Sequence, residues 1–123
     1  MLHKVISGAV VDAAIKVHSV LGPGLLESAY EACLAHELRN RRLSVETQVA
    51  LPVVYEDVRI DAGYRIDLIV AGVVIVEIKS VGEIAPIHKA QLLSYLKLSG
   101  LKVGLLLNFN TVRLRDGITR MVH

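Results

Sequence analysis

One cysteine among 123 residues, Cys33, leaves no internal disulfide and no cysteine-based zinc site. It lies beside Ala32 and Leu34 and reads as a buried, inert thiol. Tryptophan is absent, and the aromatic residues amount to four Tyr and one Phe. A surface that grips single strands by base stacking usually carries more platforms than that. No apolar run approaches the roughly 20 residues that a membrane-spanning helix needs; the longest, 68–76 and 103–109, are strand-sized. Excess charge is lacking too. Fourteen Lys and Arg against twelve Asp and Glu leave a net charge of +2, which excludes histone-like coating of nucleic acid but permits a local basic strip. The opening residues MLHKVISGAV lack a signal-peptide apolar region and cleavage site. The expectation is a cytoplasmic protein.

What is present is apolar: 53% hydrophobic residues against 21% charged, a balance that excludes disordered and collagen-like classes. The length suits a single domain spanning residues 1–123, large enough to bury a core without staples. A high apolar fraction without a membrane span also raises an apolar oligomer face.

Residues 2–20 show helical spacing, with Leu2, Val5, Ile6, Ala9, Val10, Ala13 and Val17 in one stripe. Gly22-Pro23-Gly24 interrupts it. A second helix is expected over 25–42, packing through Leu26, Ala29, Ala32 and Cys33. Its closing Arg39, Arg41 and Arg42 suit the negative end of the helix dipole better than they suit a phosphate site. From Ser44 the period becomes two: Val45, Thr47, Val49 and Leu51 alternate, and Pro52 marks a strand end. Strand material follows over 53–57 and 59–70, broken near Val58 and around Ala62-Gly63, and then over 73–79. Pro86 fits the first position of a helix ending at Ser99, with Gly100 as its C-cap. Residues 103–109 form a strand buried on both faces. Asp116-Gly117 signals a hairpin between short strands near Val112 and Met121. The order implies a mixed α/β fold with helices packed on a central sheet.

The two strands flanking Gly72 carry the chemistry. A three-residue loop, Ala71-Gly72-Val73, sets Val70 opposite Val74, Leu68 opposite Val76 and Ile66 opposite Ile78, making one face wholly apolar. The other face receives Arg65, Asp67, Ile69, Ile75, Glu77 and Lys79, with Asp67 opposite Glu77. Two carboxylates at cross-strand distance repel unless a cation lies between them, and a hard divalent ion such as Mg²⁺ suits their oxygens. A lysine two residues on can hold a water or stabilise charge on a phosphoryl oxygen. Surface ion pairs would be the ordinary alternative, but Ile69 and Ile75 beside the charges imply a covered face. His88, Gln91 and Tyr95 share one side of the third helix, and Glu27, Tyr30, Glu31 and Leu34 one side of the second. His18 and His88 read as hydrogen-bonding or surface histidines. There is no zincin-type histidine pair, phosphate loop or nucleophile elbow.

GPGLLESAY at 22–30 carries the pattern GxxExxY, and it is followed in order by Asp67, Glu77-Ile78-Lys79 and the stretch Gln91 to Leu96. In this the chain resembles the GxxExxY proteins of the PD-(D/E)XK nuclease-like superfamily. The resemblance implies a restriction-endonuclease-like α/β core, a mixed sheet flanked by helices. It implies that Asp67 and Glu77 ligate Mg²⁺ or Mn²⁺ with the Ile78 carbonyl as a third ligand. Glu27 would add to the metal site, Lys79 would position the attacking water, and Gln91 would line the same place. Ile66 stands where the motif's name has proline. The implied activity is phosphodiester hydrolysis in DNA by an activated water, with a homodimer covering a duplex. Against this stands a non-catalytic nucleic-acid or protein-binding module that keeps the fold, or an oligomeric scaffold, because fold alone does not establish activity.

Overall fold

In the computed structural model, which describes residues 2–123, helix α1 (Leu2–Leu21) buries Ile6, Val10, Ala13 and Val17 but leaves Leu2 and Val5 exposed beyond the edge of the core. Gly22 and Gly24 adopt φ of +69° and +100° on either side of Pro23, conformations that cost a side chain dearly. Helix α2 (Glu27–Asn40) therefore begins two residues later than the sequence pattern suggests. Its buried face also differs from the expected one. Tyr30, Leu34, Ala35 and Leu38 turn inward, Leu26 is 77% exposed, and Cys33 is exposed. The small side chains at Ala29, Ala32 and Cys33 offered less apolar area than Tyr30 and the two leucines, and burial follows area. The arginine cluster is structural: Arg41 bonds Glu37 and Asp12, which ties α2 to α1, while Arg39 donates to the Val45 carbonyl.

Strand β1 (Val45–Ala50) is followed by a two-stranded hairpin, β2 (Val53–Tyr55) and β3 (Val58–Ile60), whose turn lies at Glu56 and Asp57. Then come β4 (Arg65–Val70) and β5 (Val74–Lys79). Helix α3 (Pro86–Ser99) starts on its proline and ends at Gly100, which has φ +76°. It leads to β6 (Val103–Asn108), every residue of which is buried. The main sheet has the order β1-β4-β5-β6-β7, and β6 runs parallel to β5 while the other pairs are antiparallel. Helices α1 and α2 cover one face over Leu68, Val70, Val76, Leu105 and Phe109; α3 covers the other through Leu92, Tyr95 and Leu96 against Ile75 and Leu106. No described helix is long and apolar enough to cross a membrane.

The hairpin expected at Asp116-Gly117 is instead a short 3₁₀ turn, Leu114–Gly117, leading into β7 (Ile118–Val122), which pairs with β6. Gly117 is needed there for space: a Cβ would overlap the Asn108 carbonyl oxygen. The Asp-Gly pair thus serves a close approach rather than a reversal between two strands.

The β4–β5 register is the predicted one where Val70 lies opposite Val74 and Leu68 opposite Val76, but the expected pairs Ile66–Ile78 and Asp67–Glu77 are absent from the ladder. Nor does the wholly apolar six-residue face form. Ile66 packs with Ile75, Leu92 and Leu96 on the α3 side, whereas Leu68 and Val70 pack beneath α1 and α2. The same inversion occurs in β1, where Val45 lies on the α1 side but Val49 and Leu51 on the α3 side. Pairing of β1 with β4 skips the opposed positions Gln48 and Asp67, and Gln48 has φ +51°. A left-handed residue there reverses the alternation in both strands at once, and it does so beside the charged cluster.

Candidate active site

Past Leu68 and Val76 the β4–β5 ladder stops, and side chains take over from the main chain. The Asp67 N–H donates to Glu77 Oε2 at 2.8 Å, and the Ile78 N–H donates to Asp67 Oδ2 at 2.8 Å. Glu77 is 4% exposed and Asp67 half-buried, so the face is covered. Burial, and then the neighbouring Asp67 charge, pushes the Glu77 carboxyl up to about 8. Burial raises Asp67 too, against the pull of the Ile78 N–H, the Gln48 amide and Lys79. No ion pair joins Lys79 to either carboxylate among the described residues, so its charge acts through space.

Other groups approach from three elements. The Ser80 N–H donates to Glu27 Oε2 at 3.3 Å, and the Ser80 hydroxyl donates to the Leu25 carbonyl. The start of α2 is thereby pinned to the end of β5. Tyr30 explains the GxxExxY spacing. Its buried hydroxyl donates to the Gly22 carbonyl and accepts from the Leu25 N–H, while its ring stacks on Phe109 at 4.4 Å. Latching that turn points Glu27 toward Ser80. Asn108, 2% exposed, performs the same service from the sheet: its side chain exchanges two hydrogen bonds with Val81, and Phe109 N–H donates to the Lys79 carbonyl. The strand carrying Glu77 and Lys79 is held well beyond its last ladder pair.

Two residues of the cluster escaped the sequence reading of the site. Gln48 donates to Glu31 Oε1 at 2.7 Å and to Asp67 Oδ1 at 3.3 Å, bridging two carboxylates, and burial raises Glu31 as it does Asp67. Glu31 was visible as a neighbour of Glu27 on its helix; Gln48 carried no signal, since its role depends on the backbone inversion. Gln91 lines a cleft with Lys79, Tyr64 and Tyr95 but makes no hydrogen bond to Asp67 or Glu77 among the described residues. His88 caps α3, its Nδ1 accepting from the Ala85 N–H, and His18 bonds the Thr111 carbonyl.

Among the described residues no three His, Cys, Asp or Glu side chains stand together as a ready-made ligand cage. The oxygen donors that are present suit a hard cation: a buried and a half-buried carboxylate whose mutual charge a divalent ion would neutralise. The Ile78 N–H faces Asp67, and in an extended strand the carbonyl of a residue lies along the same edge as its amide.

A family model described as the PD-(D/E)XK nuclease superfamily matches residues 4–121. The chain belongs to the PD-(D/E)XK nuclease superfamily. Comparison with curated proteins found no match, and neither did comparison with solved structures. The α/β architecture is accordingly restriction-endonuclease-like. Nucleases of this superfamily generally use divalent metal ions, and nucleic acid is their substrate class.

Proposed function

We propose that this PD-(D/E)XK protein is a Mg²⁺- or Mn²⁺-dependent nuclease that hydrolyses phosphodiester bonds in DNA. The observation that carries the reading is the covered pair Asp67 and Glu77, whose carboxyl groups burial makes harder to ionise, with Lys79 two residues along the same strand as Glu77. Asp67 and Glu77 would hold the ion, joined by the Ile78 carbonyl, with Glu27 reaching the same place from the start of α2. Held there, the ion would supply Lewis acidity toward a phosphodiester oxygen. Lys79 would orient the attacking water or offset charge on the phosphoryl group, and Gln91 would line the substrate's path. A homodimer would present two such centres to a duplex; the exposed apolar residues Val54, Tyr55, Val58 and Ile60 of the β2–β3 hairpin support self-association. A monomer at micromolar concentration by light scattering would remove the dimer.

The test is cleavage of labelled duplex, single-stranded and branched DNA, and of RNA, with Mg²⁺ or Mn²⁺, beside Asp67→Ala and Lys79→Ala. Cutting by the parent that both variants lose supports the nuclease. A second reading, a non-catalytic binding module, is favoured by the commitment of Asp67 Oδ2 and Glu77 Oε2 to backbone N–H groups. Nucleic-acid affinity retained in Glu77→Ala, with no cutting by the parent, selects it.

A further inference from the structure

A cleft of about 620 Å³ is lined by α3 together with Val53, Tyr64 and Lys79. Lys79 lines it and lies on the same strand as Glu77, two residues on. Tyr95 in its wall feels the charges of both Glu77 and Asp67. Its other walls are apolar, from Val53, Ile87 and Leu98, and Tyr64 meets Tyr95 edge to face at 6.2 Å. Two of the chain's four tyrosines are thus brought together beside the site.

We propose that this cleft is a subsite for one unpaired nucleobase of the strand whose phosphodiester lies at Asp67, Glu77 and Lys79, which makes single-stranded, gapped or frayed DNA the preferred substrate over an intact duplex. The inference rests on the nuclease reading for where the phosphodiester lies. A duplex presents phosphates outward and only base edges in its grooves; apolar walls suit neither. An unstacked base offers a flat apolar face, which aromatic and aliphatic walls accept whatever the sequence. Gln91 and Ser94 in the same wall supply donors and acceptors for a base edge.

The test measures binding and cutting side by side. Single-stranded and blunt duplex oligonucleotides carrying 2-aminopurine are titrated with the protein in chelator, where no metal-dependent cleavage occurs. The expected result is fluorescence quenching on the single strand, binding at least ~10-fold tighter than to the duplex at equal salt, and a loss of about tenfold in Tyr64→Ala that Tyr64→Phe restores. Tyr64 is 46% exposed, so its removal leaves the core intact, which an unchanged melting temperature checks. Equal affinity for both forms, or Tyr64→Ala binding as the parent does, overturns the subsite. The same oligonucleotides are then offered with Mg²⁺. Cutting of the duplex without quenching keeps the nuclease and sinks the subsite. Quenching without cutting of any form keeps the base-binding cleft and sinks the nuclease.

Discussion

Asp67 and Glu77 are held together through the backbone: the amide of Asp67 donates to the Glu77 carboxylate, and the Asp67 carboxylate accepts from the amide just beyond Glu77. Each side chain satisfies a main-chain group that the parted strands leave without a ladder partner. Two carboxyl groups are kept in a covered place by this arrangement, and its consequences can be measured.

The first concerns pH. Glu77 has its folded pKa raised to about 8 from an ordinary 4.5, so between those values the folded state binds more protons than the unfolded one. Stability contributed by this group falls as pH rises through that window and levels off above it. Asp67 and Glu31 act in the same direction. In metal-free buffer the melting temperature should decline from pH 5 to pH 8, and Glu77→Gln should flatten the decline. An equally steep decline in Glu77→Gln would remove Glu77 as its source.

Divalent ions should reverse that trend. A cation can bind the pair only after the proton leaves, so Mg²⁺ or Mn²⁺ stabilises more at pH 8 than at pH 5.5. At one hundred times its dissociation constant the gain is about 2.7 kcal/mol. Thermal shift with and without metal is the measurement, and Asp67→Asn should abolish the rise. No shift at millimolar metal at pH 8 would count against the ligand pair.

Tyr30→Phe removes a hydroxyl that both donates to Gly22 and accepts from Leu25. The loss should cost about 0.5–1.5 kcal/mol, the worth of an ordinary hydrogen bond, because Leu25 is exposed and water can replace the hydroxyl there. The ring remains stacked on Phe109, so the fold persists. Because the latch orients Glu27, cutting should fall more than the melting temperature alone explains. Parent-like activity in a destabilised variant would show that the latch does not serve the site.

Gly117→Ala forces a Cβ against the Asn108 carbonyl and should destabilise by about 1–3 kcal/mol. Asn108 holds Val81, so the segment after Lys79 should loosen as well. Gly82→Ala meets nothing within 4 Å and serves as the control. Hydrogen exchange at Ser80 and Val81, compared between the two variants, reads the difference. Equal protection in both would disconnect the 3₁₀ turn from the site.

The helices α1 and α3, the buried β6 and the β4–β5 register were legible because each rests on a local signal: a period, a proline, a glycine cap, or a turn whose length sets pairing. The nearness of Asp67 and Glu77 was legible from the same turn, although side-chain hydrogen bonds rather than ladder pairing join them. The buried face of α2 was not legible, because several stripes on that helix were apolar enough and only the neighbouring layer decided that Tyr30 and Leu34 fill the core while Cys33 stays outside. Asp116-Gly117 misled for a similar reason: the dipeptide marks a bend, but the Asn108 carbonyl pressed against Gly117 made it a 3₁₀ turn.

By itself, the sequence determined the order of elements up to β6 and the nearness of Asp67 to Glu77 across the hairpin, since both follow from short-range geometry. Only the tertiary structure decided that the alternation of β1 and β4 inverts at Gln48 and Asp67, that Gln48 bridges Glu31 to Asp67, and that Tyr64 meets Tyr95 beside Lys79. Those outcomes depend on residues far apart in the chain competing for the same space, and a local pattern carries no record of that competition.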